Sequence, residues 1–225
     1  MPIAAQAKGN KKLFDIRVFY TKTGMAKYTS HLDMNRLFSR AIKRAKLDVW
    51  YSQGFNPHIY ISFSQPLPLG YESLCESFDV KLLNKNDINI VKNELNKCLP
   101  SGIQVTKANF PGNKTSDITK ACYSIKIYSN SLEKLYDSLK NYLCQDSLIV
   151  DKKTKKGITS IDLAPLIYKK DLILTENYVK LEIVLPAGIK QNINPTLIID
   201  NFTGDFDNVN VLKTSLLCTN GNEFK

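Results

Sequence analysis

The chain's two histidines, His31 and His58, are its acid–base candidates, because imidazole titrates nearest neutrality of all side chains. Such a pair can do general acid–base work on RNA. The plainer reading puts His31 in the first turn of a helix, about 60° from its apolar stripe, and His58 after Pro57 in a turn. No third residue is identifiable to orient either ring, so the spacing favours a structural or binding role over catalysis. Asp33 beside His31 admits only a weak His/Asp metal pairing. Five cysteines, Cys75, Cys98, Cys122, Cys144 and Cys218, contain no CxxC or CxxxC pair. They suit neither a secreted disulfide framework nor the closely spaced thiolate loop of a [4Fe–4S] cluster. They read instead as buried structural thiols of a cytoplasmic protein, with no metal and no cofactor expected. Neither GxxxxGK[ST] nor GxGxxG occurs, which counts against a nucleotide hydrolase or a dinucleotide dehydrogenase.

The basic residues are more informative. Met34, Leu37, Phe38, Ala41, Ile42 and Ala45 recur at helical spacing, and Arg36, Arg40, Lys43 and Arg44 fall on the other side. Lys22, Lys27 and Lys46 flank this helix, and Trp50, Tyr51, Phe55, Tyr60, Phe63 and Tyr71 crowd the residues after it. Cations mixed with flat rings suit phosphate contact and base stacking, although several of those rings must serve the core. The candidate nucleic-acid or partner-binding set is therefore Lys27, His31, Arg36, Arg40, Lys43, Arg44, Tyr51, Phe55, Asn56 and His58. Charge distribution points to the same half. Residues 1–115 hold 17 Lys+Arg against 8 Asp+Glu, whereas residues 116–225 hold 14 against 13. Nearly all of the net +10 lies in the first half, as a surface for a polyanion or an acidic partner requires. A second basic run, Lys152 to Gly157, reads as the solvated tip of a hairpin.

The elements that must position these residues follow from periodicity. Residues 14–20 alternate as a strand, Ser30 caps the basic helix, and strand-like runs at 49–51 and 59–63 flank the turn at Gly54 to Pro57. A strand over 76–83, a helix from Asp87 ended by Pro100, and an extended run over 103–108 complete β-α-β-β-α-β. The second half repeats that order: a strand at 123–128, a helix after Ser131, strands at 148–150, 158–167 and 178–185, a short helix opened by Asn194 and Pro195, and a strand at 209–217. The expected fold is α+β, two tandem ferredoxin-like domains, each an antiparallel sheet with helices on one face. Residues 1–12 form a flexible tail, 13–112 the first domain, 113–119 a linker and 120–225 the second domain. No stretch approaches the roughly 18 to 20 apolar residues of a membrane-spanning helix.

Between Tyr28 and Gly70 three segments carry a resemblance: SHLDMNRLFSRAIKRA (Ser30 to Ala45), YSQGFNPH (Tyr51 to His58) and ISFSQPLPLGYES (Ile61 to Ser73). The stretch resembles the radical SAM-associated protein family, a bacterial domain of unknown function found beside, or fused to the end of, a radical SAM protein. The likeness extends more weakly through most of the chain after residue 13. It implies an association with a radical SAM partner and carries over no activity. The reading reached is a non-enzymatic, cytoplasmic accessory protein that binds RNA or another substrate through the basic, aromatic face of the first half. Two alternatives stay open. One is a metal-independent RNA-processing or RNA-modifying enzyme using His31 and His58, since tandem ferredoxin-like architecture also looks like that of CRISPR repeat-processing endoribonucleases. The other is a structural adaptor docked on an acidic protein surface.

Overall fold

The computed structural model describes residues 12–154 and 157–225, with side chains 153 and 154 also left aside. The tail expected over 1–12 therefore lies, apart from Lys12, outside the described residues, as does part of the basic run at 152–157. The first half contains β1 (Phe14–Lys22), α1 (His31–Arg44), β2 (Ser62–Phe63), β3 (Glu72–Leu82), α2 (Ile88–Asn96) and β4 (Ile103–Asn109). The second contains β5 (Ile118–Tyr128), α3 (Leu132–Leu143), β6 (Ile149–Thr154), β7 (Gly157–Asp162), β8 (Lys169–Leu174), β9 (Val179–Pro186), α4 (Thr196–Asp200) and β10 (Asn208–Cys218).

Helix α1 forms where its sequence is self-consistent. The Ser30 hydroxyl accepts the Asp33 amide at 3.2 Å, Asp33 lies in the first turn, and Lys43 and Arg44 lie in the last, so the cap and the helix dipole are both served. Met34, Phe38, Ala41 and Ile42 are buried, and Lys46, at φ 54°, turns the chain out of the helix. Those apolar residues pack on Ile16, Val18 and Tyr20 of β1 and on Phe78, Val80 and Leu82 of β3, forming one core. A second core gathers Leu135 and Leu139 of α3 with alternate residues of β5 and β9.

The strands make a mixed α+β fold around one large sheet, ordered β4-β1-β3-β10-β5-β9-β8, with β2 paired to β3 off that path. Expectation and structure part here. Two separate sheets were expected, whereas the halves share a single eight-stranded sheet. The physical reason is the shortness of β2. It covers the β3 edge only at Phe78 and Asp79, and β10 takes the freed end in parallel, with Glu72 opposite Leu212 and Ser73 opposite Lys213. The other pairings are antiparallel. Within the first half the order is β4-β1-β3-β2, and within the second it is β10-β5-β9-β8. Corresponding elements thus occupy corresponding places, with the hairpin β6-β7 added to the second half as its own small sheet.

Two buried ionic groups sit on this frame. At the junction, Lys213 Nζ lies 2.6 Å from Glu76 Oε1, and both side chains are at most 3% exposed. Lys22 is also buried beside Glu76, its ammonium donating to the Thr29 carbonyl at 2.8 Å, and burial lowers its pKa. On the reverse face of β1, Arg17 grips Asp79 with two bonds of 2.7 and 2.9 Å and donates to the carbonyls of Asn113 and Lys225. Its guanidinium stands 4.3 Å from the centre of the Phe224 ring, so residues far apart in sequence close over this strand.

Other sequence expectations shift in detail. The runs at 49–51 and 59–63 reduce to the isolated bridges Val49–Leu82 and Tyr51–Ile59 and the two-residue β2. The strand expected over 158–167 stops at Asp162, because Pro165 lies in the 3₁₀ turn Ala164–Leu166. Strand β8 escaped notice, being a largely exposed edge strand that opens on two lysines. The expected linker yields Ile118 and Thr119 to β5. Cys144 is exposed at the end of α3, against the expectation of burial, because it caps the helix rather than facing the sheet. Among the described residues no helix is long and apolar enough to cross a membrane.

Candidate functional site

The helical period that buries the apolar stripe of α1 turns Arg36, Arg40, Lys43 and Arg44 to solvent. Three of them face one groove. Arg36, Arg40 and Arg44 of α1 stand opposite Lys97, Leu99 and Pro100 at the end of α2, enclosing about 760 Å³. Arg44 Nη2 donates to the Cys98 carbonyl at 2.6 Å, which fixes the guanidinium without neutralising it. Arg36 reaches Asp33 at 3.3 Å, but both groups are more than half exposed, where such a pair holds weakly. The Asp33 carboxyl sits below the usual carboxylate range, first because the Ser30 hydroxyl bonds it and then because of Arg36. Lys97 pairs with Glu94 at 2.6 Å, and Arg40 has no ion pair among the described residues.

The remaining predicted residues distribute themselves elsewhere. Lys43 lies 5.9 Å from the Tyr51 ring centre on another flank of α1. Beyond Tyr51 the chain makes a loop closed by His58, whose Nδ1 lies 2.8 Å from the Ser52 hydroxyl and 3.2 Å from the Asn56 carbonyl. The backbone completes that closure, with the Ser52 amide donating to the His58 carbonyl and the His58 amide to the Ser52 hydroxyl. Phe55 at the loop tip is fully exposed, and Tyr60 just past it is half exposed. His31 instead stacks edge-on against Phe63 at 4.9 Å, where Tyr20, Lys22 and Glu76 border a cavity too small for more than a water. Lys27 points to β10, donating to Asn210 at 3.3 Å. The two histidines thus have separate partners. The aromatic run also divides: Phe63, half-buried, packs on Tyr20, Phe38 and Phe78, and Tyr71 is buried with its hydroxyl on Asn194, so both are engaged by the core.

The second half has a groove in the corresponding place, between α3 and the segment after α4, of about 970 Å³. Its lining is hydroxyl, amide and ring, with Lys134 set against Asp205 and Asp207. Two features of the first groove escaped the sequence reading. Lys97 and the α2 end supply its far wall, and only the packing of two helices shows that. The other was legible in composition: the chain has 27 lysines but four arginines, and three of those four line this groove. Among the described residues no cluster of three or more His, Cys, Asp or Glu could hold a metal ion.

No curated protein matches the sequence. Among solved structures, the crystal structure of an unknown protein from Galdieria sulphuraria covers 90% of this chain and 99% of its own, at 11% identity and a TM-score of 0.27, a likeness too slight to carry a shared fold. A family model matches residues 15–195, from β1 through both grooves' first walls to the cap of α4. That match spans most of both halves, and the chain belongs to the bacterial family described as "Uncharacterized protein conserved in bacteria (DUF2344)".

Proposed function

We propose that this protein is a non-enzymatic accessory factor that binds RNA through its first half and presents it to a radical SAM partner. The observation that carries the binding part is the groove of Arg36, Arg40, Arg44 and Lys97, in which Arg40 and Arg44 have no ion pair among the described residues and the Arg36–Asp33 pair is solvent-exposed and weak. The radical SAM partner rests on the resemblance of Ser30 to Ala45, Tyr51 to His58 and Ile61 to Ser73. Each half reads as a ferredoxin-like unit, supported by the recurrence of one strand order in both. A cytoplasmic setting fits five unpaired cysteines. The histidines favour binding over catalysis, because His58 is spent on closing its own loop and His31 on Phe63. Native purification tests the proposal: RNA and a radical SAM polypeptide should accompany the protein through two columns and be lost together in the charge-reversed variant Arg36→Glu/Arg40→Glu/Arg44→Glu. A protein that carries neither contradicts it. Discrete RNA cleavage in chelator, abolished by His31→Ala and by His58→Ala, would replace it with the ribonuclease reading.

A further inference from the structure

We propose that the α1–α2 groove is a track for a single RNA strand, in which Arg36, Arg40 and Arg44 take successive backbone phosphates. This rests on the RNA-binding reading above and assigns it a place, a strandedness and a mode of recognition.

The choice of arginine is the first argument. Wherever else this chain needs a soluble cation it uses lysine: of 31 basic residues only four are arginine. One of these, Arg17, is buried and bonded twice to Asp79. The other three lie at i, i+4 and i+8 on one helix and line one groove. Guanidinium offers a planar fork that meets two phosphate oxygens together, whereas ammonium acts as a hydrated point charge. A merely solvated face in a lysine-rich chain has no reason to concentrate arginine.

Spacing is the second argument. Residues four apart on a helix are separated by about 6 Å along its axis. That is the scale of one sugar–phosphate repeat in an extended strand. Consecutive phosphates of a nucleoside triphosphate or of polyphosphate share a bridging oxygen and sit closer together, so they do not match the arginines one for one. A single row of guanidinium groups, walled by Leu99 and Pro100, addresses one backbone and not the two of a duplex. Among the described residues no aromatic ring lines the groove, so the track itself reads phosphate and ignores sequence. The exposed rings Phe55 and Tyr60 lie apart from the groove, on and just past the loop that His58 closes.

The test is fluorescence anisotropy with 5′-labelled octauridylate, using the full chain and two triple variants at Arg36, Arg40 and Arg44. Replacement by glutamate should abolish binding. Replacement by lysine, which keeps the charge, should weaken it about tenfold, because the forked contacts are lost. With three phosphate contacts at about 0.7 each, log K for the wild-type protein should fall with log salt at a slope of at least about 2. Unlabelled octauridylate should compete better than a duplex of equal length or than polyphosphate. Circular dichroism melts confirm that each variant is folded. If both triple variants bind like wild type while Phe55→Ala/Tyr60→Ala does not, RNA lies on the loop, and the track is wrong although the RNA-binding reading stands. Oligoglutamate outcompeting octauridylate overturns the track in favour of an acidic partner. No RNA binding by the wild-type protein overturns both.

Discussion

The two inter-helix grooves occupy the same position in their halves, yet they differ in what they offer a ligand. In the first, α1 and the end of α2 present Arg36, Arg40, Arg44 and Lys97 around an apolar floor of Leu37 and Leu99. In the second, α3 and the segment after α4 present serine, asparagine and glutamine with Lys134, Asp205 and Asp207. The shared strand order makes the grooves; the side chains on the first helix of each half decide what they attract. The fold is thus a scaffold used twice, and only one copy has the charge for a polyanion.

The largest effect should come from the junction that makes the two grooves parts of one body. Glu76→Gln leaves Lys213 charged and buried without a counter-ion, a change that typically costs about 3 to 5 kcal/mol. Chemical denaturation should show that loss in a single transition, with most of it restored in Glu76→Leu/Lys213→Met. Two separate transitions would mean that the halves fold independently and that the shared sheet is incidental.

Next in size is a transplant that asks whether charge alone separates the grooves. Ser138→Arg with Asp205→Asn places a cation in the second groove and removes an anion. Combined with the glutamate triple variant of the first groove, it should restore measurable RNA affinity, weaker than that of the lysine triple variant, which keeps three cations in one groove. No recovery would show that the geometry of the first groove matters beyond its charge.

A third effect concerns pH. Burial pushes the Cys75 thiol, on β3 beside the junction, up to about 12 from an ordinary 9.0, with Glu76 adding to the rise and Lys213 opposing it. An acid whose pKa is raised by folding binds its proton more tightly in the native state. Stability is then unaffected below about pH 9 and falls as pH rises from there towards about 12. Melting temperatures between pH 8.5 and 11 should fall less steeply for Cys75→Ala than for wild type. Parallel curves would remove the thiol from the account. The exposed Cys144 at the end of α3 offers the contrast, and Cys144→Ala should leave the slope unchanged.

The smallest effect lies inside the first groove. Asp33 competes with any anion for Arg36, so Asp33→Asn should strengthen octauridylate binding about twofold. A weaker complex would mean that Asp33 orients Arg36 instead of competing for it.

How much of this was legible depends on whether the cause is local. Helix α1 announces itself because its apolar stripe, its Ser30 cap and its terminal charges all lie within one short segment. The order of elements in the second half is only partly legible along the chain, since β8, which takes the place of β2, escaped the reading and the strands read at 148–150 and 158–167 fall on the added hairpin β6-β7. The union of the halves is not, since it depends on two residues of β10 meeting the end of β3 that β2 leaves open. The ion pair of Glu76 with Lys213 joins residues from opposite halves and gives no pattern to read. For the site, the arginine row could be read from helical spacing. The far wall could not, because Lys97 and Pro100 meet α1 only through packing. The aromatic run misled in part: Phe63 and Tyr71 turn inward, and composition cannot say which rings of a cluster are core.

The central claim, that RNA runs along the arginine row of the first groove and nowhere else, meets its most direct test in arginine modification. Phenylglyoxal treatment followed by mass spectrometry reads the reactivity of Arg36, Arg40 and Arg44 separately, while the buried Arg17 serves as an internal standard. Saturating octauridylate should slow modification at all three groove positions and leave Arg17 unchanged. Undiminished reactivity of the three arginines in a protein shown to be saturated with RNA would contradict the account.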